Sequence, residues 1–375
     1  MHVEQGPIRP PSEASSLLIR VTRNCPWNKC AFCSTYNGKQ FSRRAIEEIK
    51  RDIDTLAMVT EQVRQISRDK GWGGRINGQV VSEAGAVYGY LHYHVAWWLY
   101  QGAKNVFLQD ANSLILKTSD LVHIIKYVRA TWPSVERITT YARADTASRK
   151  NPGELRELRE AGLVRIHMGM ESGSDIVLKK VRKGITAKQL VEAGQKIAAA
   201  GISLCWYIIP GLGGREHSRE HALETAAVIN QGKPDFIRFR TLAVRKNTPL
   251  YEMMLSGDFT PLDEDEAVTE QRLLLASLSG VNVTVVSDHV LNLLQELEGT
   301  LPADRERLLG IIDRYLDMTP KEKAIFQLGR RAGVFVNMND MRDRNRVGYV
   351  ENLLNKINSP EKLQAELARM RRQFV

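Results

Sequence analysis

The sequence predicts an α/β fold: a partial (β/α)6 barrel followed by a mainly helical C-terminal domain. Three observations predict it. From Ser16 to about Tyr251, short β-branched or apolar runs alternate with longer amphipathic ones, giving six strand–helix steps. Helix-length connections between successive strands exclude tight hairpins and require a parallel sheet with right-handed crossovers. After Gly257 the alternation stops and helical patterns dominate. Six steps fall short of a closed eight-stranded barrel, so the barrel is partial. The expected organisation is an N-terminal extension (1–14), a barrel (15–255) with a helical insertion at about 70–102, and a C-terminal helical domain (256–375).

The elements follow in order. PIRPPSEA (7–14) is broken by proline, and SLLIRVTRN (16–24) reads as the first strand, running straight into a cysteine-rich loop. A helix is expected from Ser42 to near Gly71, with Glu47 and Glu48 in its early turns. GWGGRINGQ (71–79) is a Gly-rich break, and AGAVYGYLHYHVAWWLYQG (84–102) is apolar, aromatic and helical. Strands are then expected at 105–110, 137–145, 164–170, 202–211 and 235–244. The helices between them are TSDLVHIIKYVRATW, NPGELRELREAG, TAKQLVEAGQKIAAAG and EHSREHALETAAVINQG. Beyond Gly257, DEDEAVTEQRLLLASL, VSDHVLNLLQELEG, PADRERLLGIIDRYLDM and PEKLQAELARMRRQF read as amphipathic helices, and GVNVTVV (280–286) as one further strand.

Composition bounds the function. Hydrophobic residues are 43% of the 375, enough for a sizeable core. No uncharged apolar run reaches the roughly 18 residues of a membrane span, so no stable membrane insertion is expected. The opening MHVEQGPIRPPSEASS has neither a basic nor an apolar signal region, which points to a cytoplasmic protein. The net charge of +10 admits an anionic partner, RNA included, without selecting one. The last 35 residues are modestly basic.

Three of the four cysteines lie within nine residues, as NCPWNKCAFC. A tight cluster in a chain without an export signal favours metal over disulfides. Cys25, Cys30 and Cys33, spaced C-x4-C-x2-C, can ligate three irons of a cubane cluster and leave the fourth iron open. The residues alone leave three alternatives standing: a structural zinc with a distant fourth ligand, a purely electron-carrying cluster, and buried free thiols.

The loop resembles that of the radical S-adenosylmethionine (SAM) superfamily. It follows the first strand, precedes the first helix and carries an aromatic residue, Phe32, just before its last cysteine. One residue more than the family's C-x3-C-x2-C pattern separates the first two cysteines. HMGMESGSDIVLKKVRKGIT (167–186) is similar to the fourth-strand segment of the branch with the methylthiotransferases, Elongator-type enzymes and oxygen-independent coproporphyrinogen oxidase. WYIIPGLGG (206–214) resembles the fifth-strand motif, and DFIRFRTLAVRKNTPLYE (235–252) the sixth strand and its turn.

The resemblance implies a [4Fe–4S] cluster on Cys25, Cys30 and Cys33, with SAM as the second cofactor. It implies reductive cleavage of SAM to a 5′-deoxyadenosyl radical that abstracts hydrogen from a substrate. A low-potential electron donor of the flavodoxin or ferredoxin type and anaerobic chemistry go with it. By the same likeness Glu171 and Ser172 lie near the ribose or amino acid part of SAM, with Lys183 or Arg182 as the basic residue that follows. Pro210 backs the adenine, and Leu242 belongs to the sixth-strand segment of the cofactor site. Where the family often has Gly-Gly-Glu on the second strand this chain has LQDAN, so Asp110 and Asn112 are expected to take that role.

Other features have competing readings. Tyr141 and Arg143 alternate on one face of the third strand; Arg143 is a candidate for a SAM or substrate carboxylate, or for an ion pair with a neighbouring strand. HSREH (217–221) matches an inverted zinc-protease pattern, but the segment already has a place after the fifth strand. Cys205 is expected in the core. The aromatic stretch 84–102 reads as a core helix, or as a lid, a dimer face or a lipid surface. GLGGRE lacks the Lys-Ser/Thr pair of a phosphate-binding loop. Four cysteines are too few for a second cluster, no cobalamin motif is visible, and the length leaves no room for an acetyltransferase domain. The expected substrate is an unidentified small molecule; RNA modification and a non-catalytic iron–sulfur or zinc scaffold are the alternatives.

Overall fold

The computed structural model describes residues 3–357 and 359–373. The expectations for the first two residues of the N-terminal extension, and for Phe374 at the end of the last helix, lie outside them. The chain forms two compact units. One comprises Met1–Asn28, Thr35–Met168 and Lys196–Leu204; the other comprises Lys29–Ser34, Gly169–Gln195 and Cys205–Val375.

In the first unit β1 (Leu17–Arg20), β2 (Asn105–Gln109), β3 (Arg137–Ala142) and the opening of β4 (Leu163–Glu171) are parallel neighbours in that order. Leu17 is in register with Val106, and Asn105 with Arg137. The longer helices that accompany them are α1 (Ile46–Asp69), α2 (Gly78–Tyr88), α3 (Tyr90–Tyr100), α4 (Thr118–Thr131) and α5 (Pro152–Ala161). Along α1, Ile49, Ile53, Leu56, Val59, Val63 and Ile66 recur every three or four residues and all are buried. Each contributes about 1.5–3 kcal/mol by leaving water.

α1 starts later than its pattern suggests. Ser42–Arg43 pair instead with Thr22–Arg23 in a short antiparallel ladder. Ala45 is extended, and the Glu48 side chain caps its N–H at 3.0 Å. The aromatic stretch is two helices rather than one. Gly89, at φ 85°, breaks it, and the preceding helix begins at Gly78 with Asn77 as its cap.

The N-terminal extension belongs to the first unit. Glu4 pairs with Arg20, Arg23 and Arg44. Glu13 is fully buried and accepts hydrogen bonds from Ser16 (2.6 Å), His167 and Arg137. Burial alone would raise the Glu13 carboxyl; His167 and Arg137 outweigh it and hold the group below the ordinary carboxylate range.

The second unit takes over within β4 and continues through α6 (Asp175–Lys180) and most of α7 (Ala187–Ala199). Then follow β5 (Ser203–Ile208), α8 (Ser218–Gly232), β6 (Phe236–Phe239), α9 (Pro249–Leu255) and α10 (Glu264–Ala276). The chain ends with β7 (Val283–Val286), β8 (Gly299–Leu301), α11 (Arg305–Leu316), α12 (Pro320–Arg331), α13 (Arg344–Leu354) and α14 (Pro360–Gln373). β5, β6 and β7 are parallel, and β8 returns antiparallel to β7. The parallel strands alternating with helices are the predicted α/β fold, and all six expected strands and the further one at 283–286 are present. α8 lies close to β5 because Gly232 has no side chain: a Cβ there would stand 2.2 Å from the Trp206 ring.

The segment 286–299 is not the expected helix; Val286 ends β7 and 287–298 are irregular. Its leucines are buried all the same. The backbone is satisfied from outside: Arg330 donates to the carbonyls of Leu293 (2.9 Å) and Asn292 (3.0 Å). The Asn292 side chain in turn bonds Phe239 O and Thr241 N, each at 2.8 Å. Tertiary partners have replaced the i→i+4 ladder that the apolar spacing suggested.

Candidate cofactor site

Parallel strands present their C-terminal loops as a site, and the cysteine loop follows β1 directly. Cys25, Cys30 and Cys33 form no disulfide, and each is half-buried. Cys33 N–H donates to Cys30 O at 3.2 Å, closing a tight turn. Two asparagines turn the chain on either side of Cys25. Asn24 and Asn28 adopt left-handed φ of 65° and 49°, which asparagine tolerates best after glycine. Their side-chain amides then hold the carbonyls of Gln40 (2.7 Å) and Lys39 (2.8 Å). The Trp27 ring lies under the Arg143 guanidinium, 5.4 Å from its centroid.

In the second unit Ala31 is fully buried among Val177, Val181, Leu212 and Leu250. Its N–H donates to Val181 O at 2.8 Å, and its carbonyl accepts from Leu250 N at 2.9 Å. Phe32 packs on the same cluster, with Lys183 Nζ 5.9 Å from its ring centre. Arg245 donates to Ser34 Oγ at 2.7 Å. Burial, then Arg240, lower the Arg245 guanidinium from its ordinary range, and Cys33 opposes them.

The other expected residues fall into two groups. Glu171 ends β4 at φ 64°, and its carboxylate accepts from Lys183 Nζ at 2.7 Å. Lys183 is buried while Arg182 is exposed, so Lys183 is the basic residue that meets Glu171. Ser172 is buried; its hydroxyl meets His221 Nδ1 at 2.8 Å and accepts from Ser174 N at 3.0 Å. Pro210 and Leu242, with Gly211, Thr241 and Val244, line a small open cleft.

Asp110 and Asn112, in contrast, direct their side chains into the protein. Asp110 is fully buried, accepting from Arg20 Nη2 (2.8 Å), Asn24 N (3.1 Å) and Tyr36 Oη. Asn112 holds Thr146 Oγ1 and Arg143 N at 2.8 and 3.1 Å. Arg143 pairs with Asp145 two residues on, at 2.9 Å. Tyr141 packs edge-on against Phe107 and His167. Burial, then the Asp110 carboxylate, push the Tyr36 hydroxyl far above the ordinary phenol range, so it stays a donor.

The histidines of HSREH do not share a site. His217 is partly exposed beside Glu216 and Glu220, whereas His221 is fully buried between Ser172 and Glu270. Glu270 also accepts from Gly211 N (2.7 Å) and Ser218 Oγ (2.6 Å), so this network braces the loops after β4 and β5. The sequence marked His221 but gave no sign of its partners. Tyr36, Arg20 and Arg245 carried no motif either. Cys205 is buried, as expected. Of the aromatic stretch, Trp98, Val95 and Ala96 are core, while Tyr88, Tyr90, Tyr93 and Tyr100 are exposed.

Among the described residues no three His, Cys, Asp or Glu converge tightly enough to hold one metal ion. A cubane cluster asks for a different donor set, one thiolate per iron. Cys25, Cys30 and Cys33 are the expected donors of that kind.

Residues 97–226 match the radical SAM superfamily. The match covers about a third of the chain. The matched stretch includes Asp110, Asn112, Arg143, Glu171, Ser172, Arg182, Lys183 and Pro210, and begins after the cysteine loop. The chain is 26% identical over 127 residues to a tRNA uridine(34) acetyltransferase of Methanocaldococcus infernus, covering 34% of this chain and 23% of that protein. It therefore spans about a quarter of that relative's length. It is also 23% identical to an uncharacterised methyltransferase of Pyrococcus horikoshii, over 64% of this chain and 42% of that one. Among solved structures, methylornithine synthase superposes with a TM-score of 0.42 and 16% identity, covering 80% of this chain and 81% of that one. Among the described residues no helix is long and apolar enough to cross a membrane.

Proposed function

We propose that this chain is a radical SAM enzyme acting on an unidentified small molecule, with Cys25, Cys30 and Cys33 as the ligands of its cluster. Bound and reduced, a cluster with one open iron supplies the electron that splits SAM and so generates the radical that takes hydrogen from a substrate. The chain's own residues do the holding. Ala31, bonded at both its N–H and its carbonyl, fixes the middle of the loop. Glu171 is the residue we assign to SAM, oriented by its left-handed backbone and by Lys183. Ser172, braced by His221, stands beside it. Pro210 and Leu242 give the apolar wall suited to an adenine. Phe32 shields the loop from water, and Arg143 is assigned to a carboxylate. The single observation that carries the reading is the set of three cysteines within nine residues after β1, none in a disulfide, in a chain whose residues 97–226 match this superfamily.

The test is turnover with SAM and candidate substrates under strictly anaerobic conditions and a flavodoxin- or ferredoxin-type donor. Deuterium moving from a labelled substrate into deoxyadenosine supports the proposal; deoxyadenosine that stays unlabelled with every candidate counts against a substrate of that class. A second reading has its own support: the net charge of +10, and the likeness to a protein named for tRNA uridine. RNA as substrate predicts tRNA binding that weakens steeply with salt, whereas salt-insensitive or absent binding removes that reading.

A further inference from the structure

The Asp110 carboxylate is fully buried, yet three donors converge on it, and two of them flank the cysteines. Asn24, immediately before Cys25, gives its backbone N–H at 3.1 Å. Tyr36, three residues after Cys33, gives its hydroxyl to the other carboxylate oxygen. Arg20 supplies the counter-charge at 2.8 Å and also donates to Asn24 Oδ1 at 3.3 Å. The Asp110 N–H lies 3.4 Å from Thr22 Oγ1 at the end of the first strand segment. Over this cluster runs the N-terminal extension: a Cβ on Gly6 would stand 3.2 Å from Asp110 Cγ. Gly6 is held there by the Gln109 side chain, its N–H donating to Oε1 at 2.9 Å.

A carboxylate offers about four acceptor directions, and three are occupied by protein donors. We infer that Asp110 is a positioning residue: it clamps the two ends of the cysteine loop, through Asn24 and Tyr36, so that the loop is ordered before any iron arrives. The inference rests on the reading that this loop carries the cluster. It differs from the role expected of that strand position, which is contact with SAM. A loop with left-handed asparagines at two positions has a conformational cost, and a pre-formed clamp removes that cost from the binding step. Arg20 and the Tyr36 hydroxyl donate to different oxygens of the carboxylate, so neither competes with the other.

The experiment is thiol alkylation of the iron-free full-length protein, mapped by mass spectrometry, with wild type, Tyr36→Phe and Asp110→Asn. Modification of a clamped cysteine waits on local opening of the loop. Loss of one charge-assisted hydrogen bond is expected to speed alkylation of Cys25 about tenfold in either variant. Faster loss of iron to a chelator from the reconstituted protein is the second readout. Rates within twofold of wild type in both assays would overturn the inference. So would an unchanged loop combined with weakened SAM binding, since that pattern belongs to a cofactor contact. Circular dichroism shows whether each variant folds; should Asp110→Asn fail to, Tyr36→Phe decides alone, because it removes one oxygen only. If wild type takes up no cluster at all, the proposed function fails, while the alkylation rates still judge the clamp.

Discussion

Replacing Lys183 with methionine tests the residue that holds Glu171. The ammonium lies 2.7 Å from Glu171 Oε1, and both side chains are mostly buried, 9% and 12% exposed. At an effective dielectric of about 20 the gross attraction is roughly 6 kcal/mol. Desolvation and lost side-chain freedom reduce the net worth of such a charge-assisted bond to about 1.5–3 kcal/mol. The contact with the Phe32 ring at 5.9 Å adds about 0.5–1 kcal/mol. Lys183→Met is therefore expected to lower unfolding stability by roughly 2–4 kcal/mol, with the methylene stem kept in place by methionine. Urea denaturation followed by circular dichroism measures it, with an unchanged m-value showing that the unfolded state is the same. Arg182→Met is the control, because Arg182 is adjacent in sequence but exposed. A loss within about 0.5 kcal/mol for Lys183→Met, or an equal loss for Arg182→Met, would refute the reasoning.

Two further predictions concern buried charge. Glu264 accepts from Arg331 twice at 2.8 Å, with Arg371 3.7 Å away, and burial is outweighed by these arginines so that its carboxyl stays below the ordinary range. Glu264→Gln should cost about 3–5 kcal/mol, read as a fall in the thermal midpoint at pH 7, while a change under about 1 kcal/mol would contradict it. His94 is buried with no partner at Nε2, and burial lowers its pKa to about 4. The unfolded chain takes up that proton near pH 6.5 and the folded chain only near 4, so stability is lost as pH falls through this window, by at most about 3 kcal/mol. Thermal melts of His94→Leu between pH 7 and 4.5 should be flatter than those of wild type, and parallel curves would exclude His94 as the cause.

How much of this was legible in the sequence depended on whether local pattern or distant partners decided the outcome. The strands were legible because β-branched runs between helical periods have one reading in a parallel sheet. The cysteine loop was legible because three thiols in nine residues have few uses. What the sequence hid was set by partners far along the chain. The leucines of 291–297 carry helical spacing, but Arg330 and Asn292 satisfy that backbone as a loop. Ser42 looks like a helix start until Thr22 and Arg23 pair with it and its neighbour. Asp110 occupies the strand position where a cofactor contact was expected, and only the structure reveals that Asn24, Tyr36 and Arg20 already fill it. Lys183 and Arg182 are adjacent and chemically alike; the turn after α6 buries one and exposes the other.

The claim on which everything else depends is that Cys25, Cys30 and Cys33 hold a cluster that cleaves SAM. Anaerobic reconstitution with iron and sulfide, reduction with dithionite and addition of SAM test it in one measurement. Wild type is expected to form 5′-deoxyadenosine, and Cys30→Ala to form none while its circular dichroism is unchanged. No nucleoside from wild type, or the same yield from Cys30→Ala, would contradict the account.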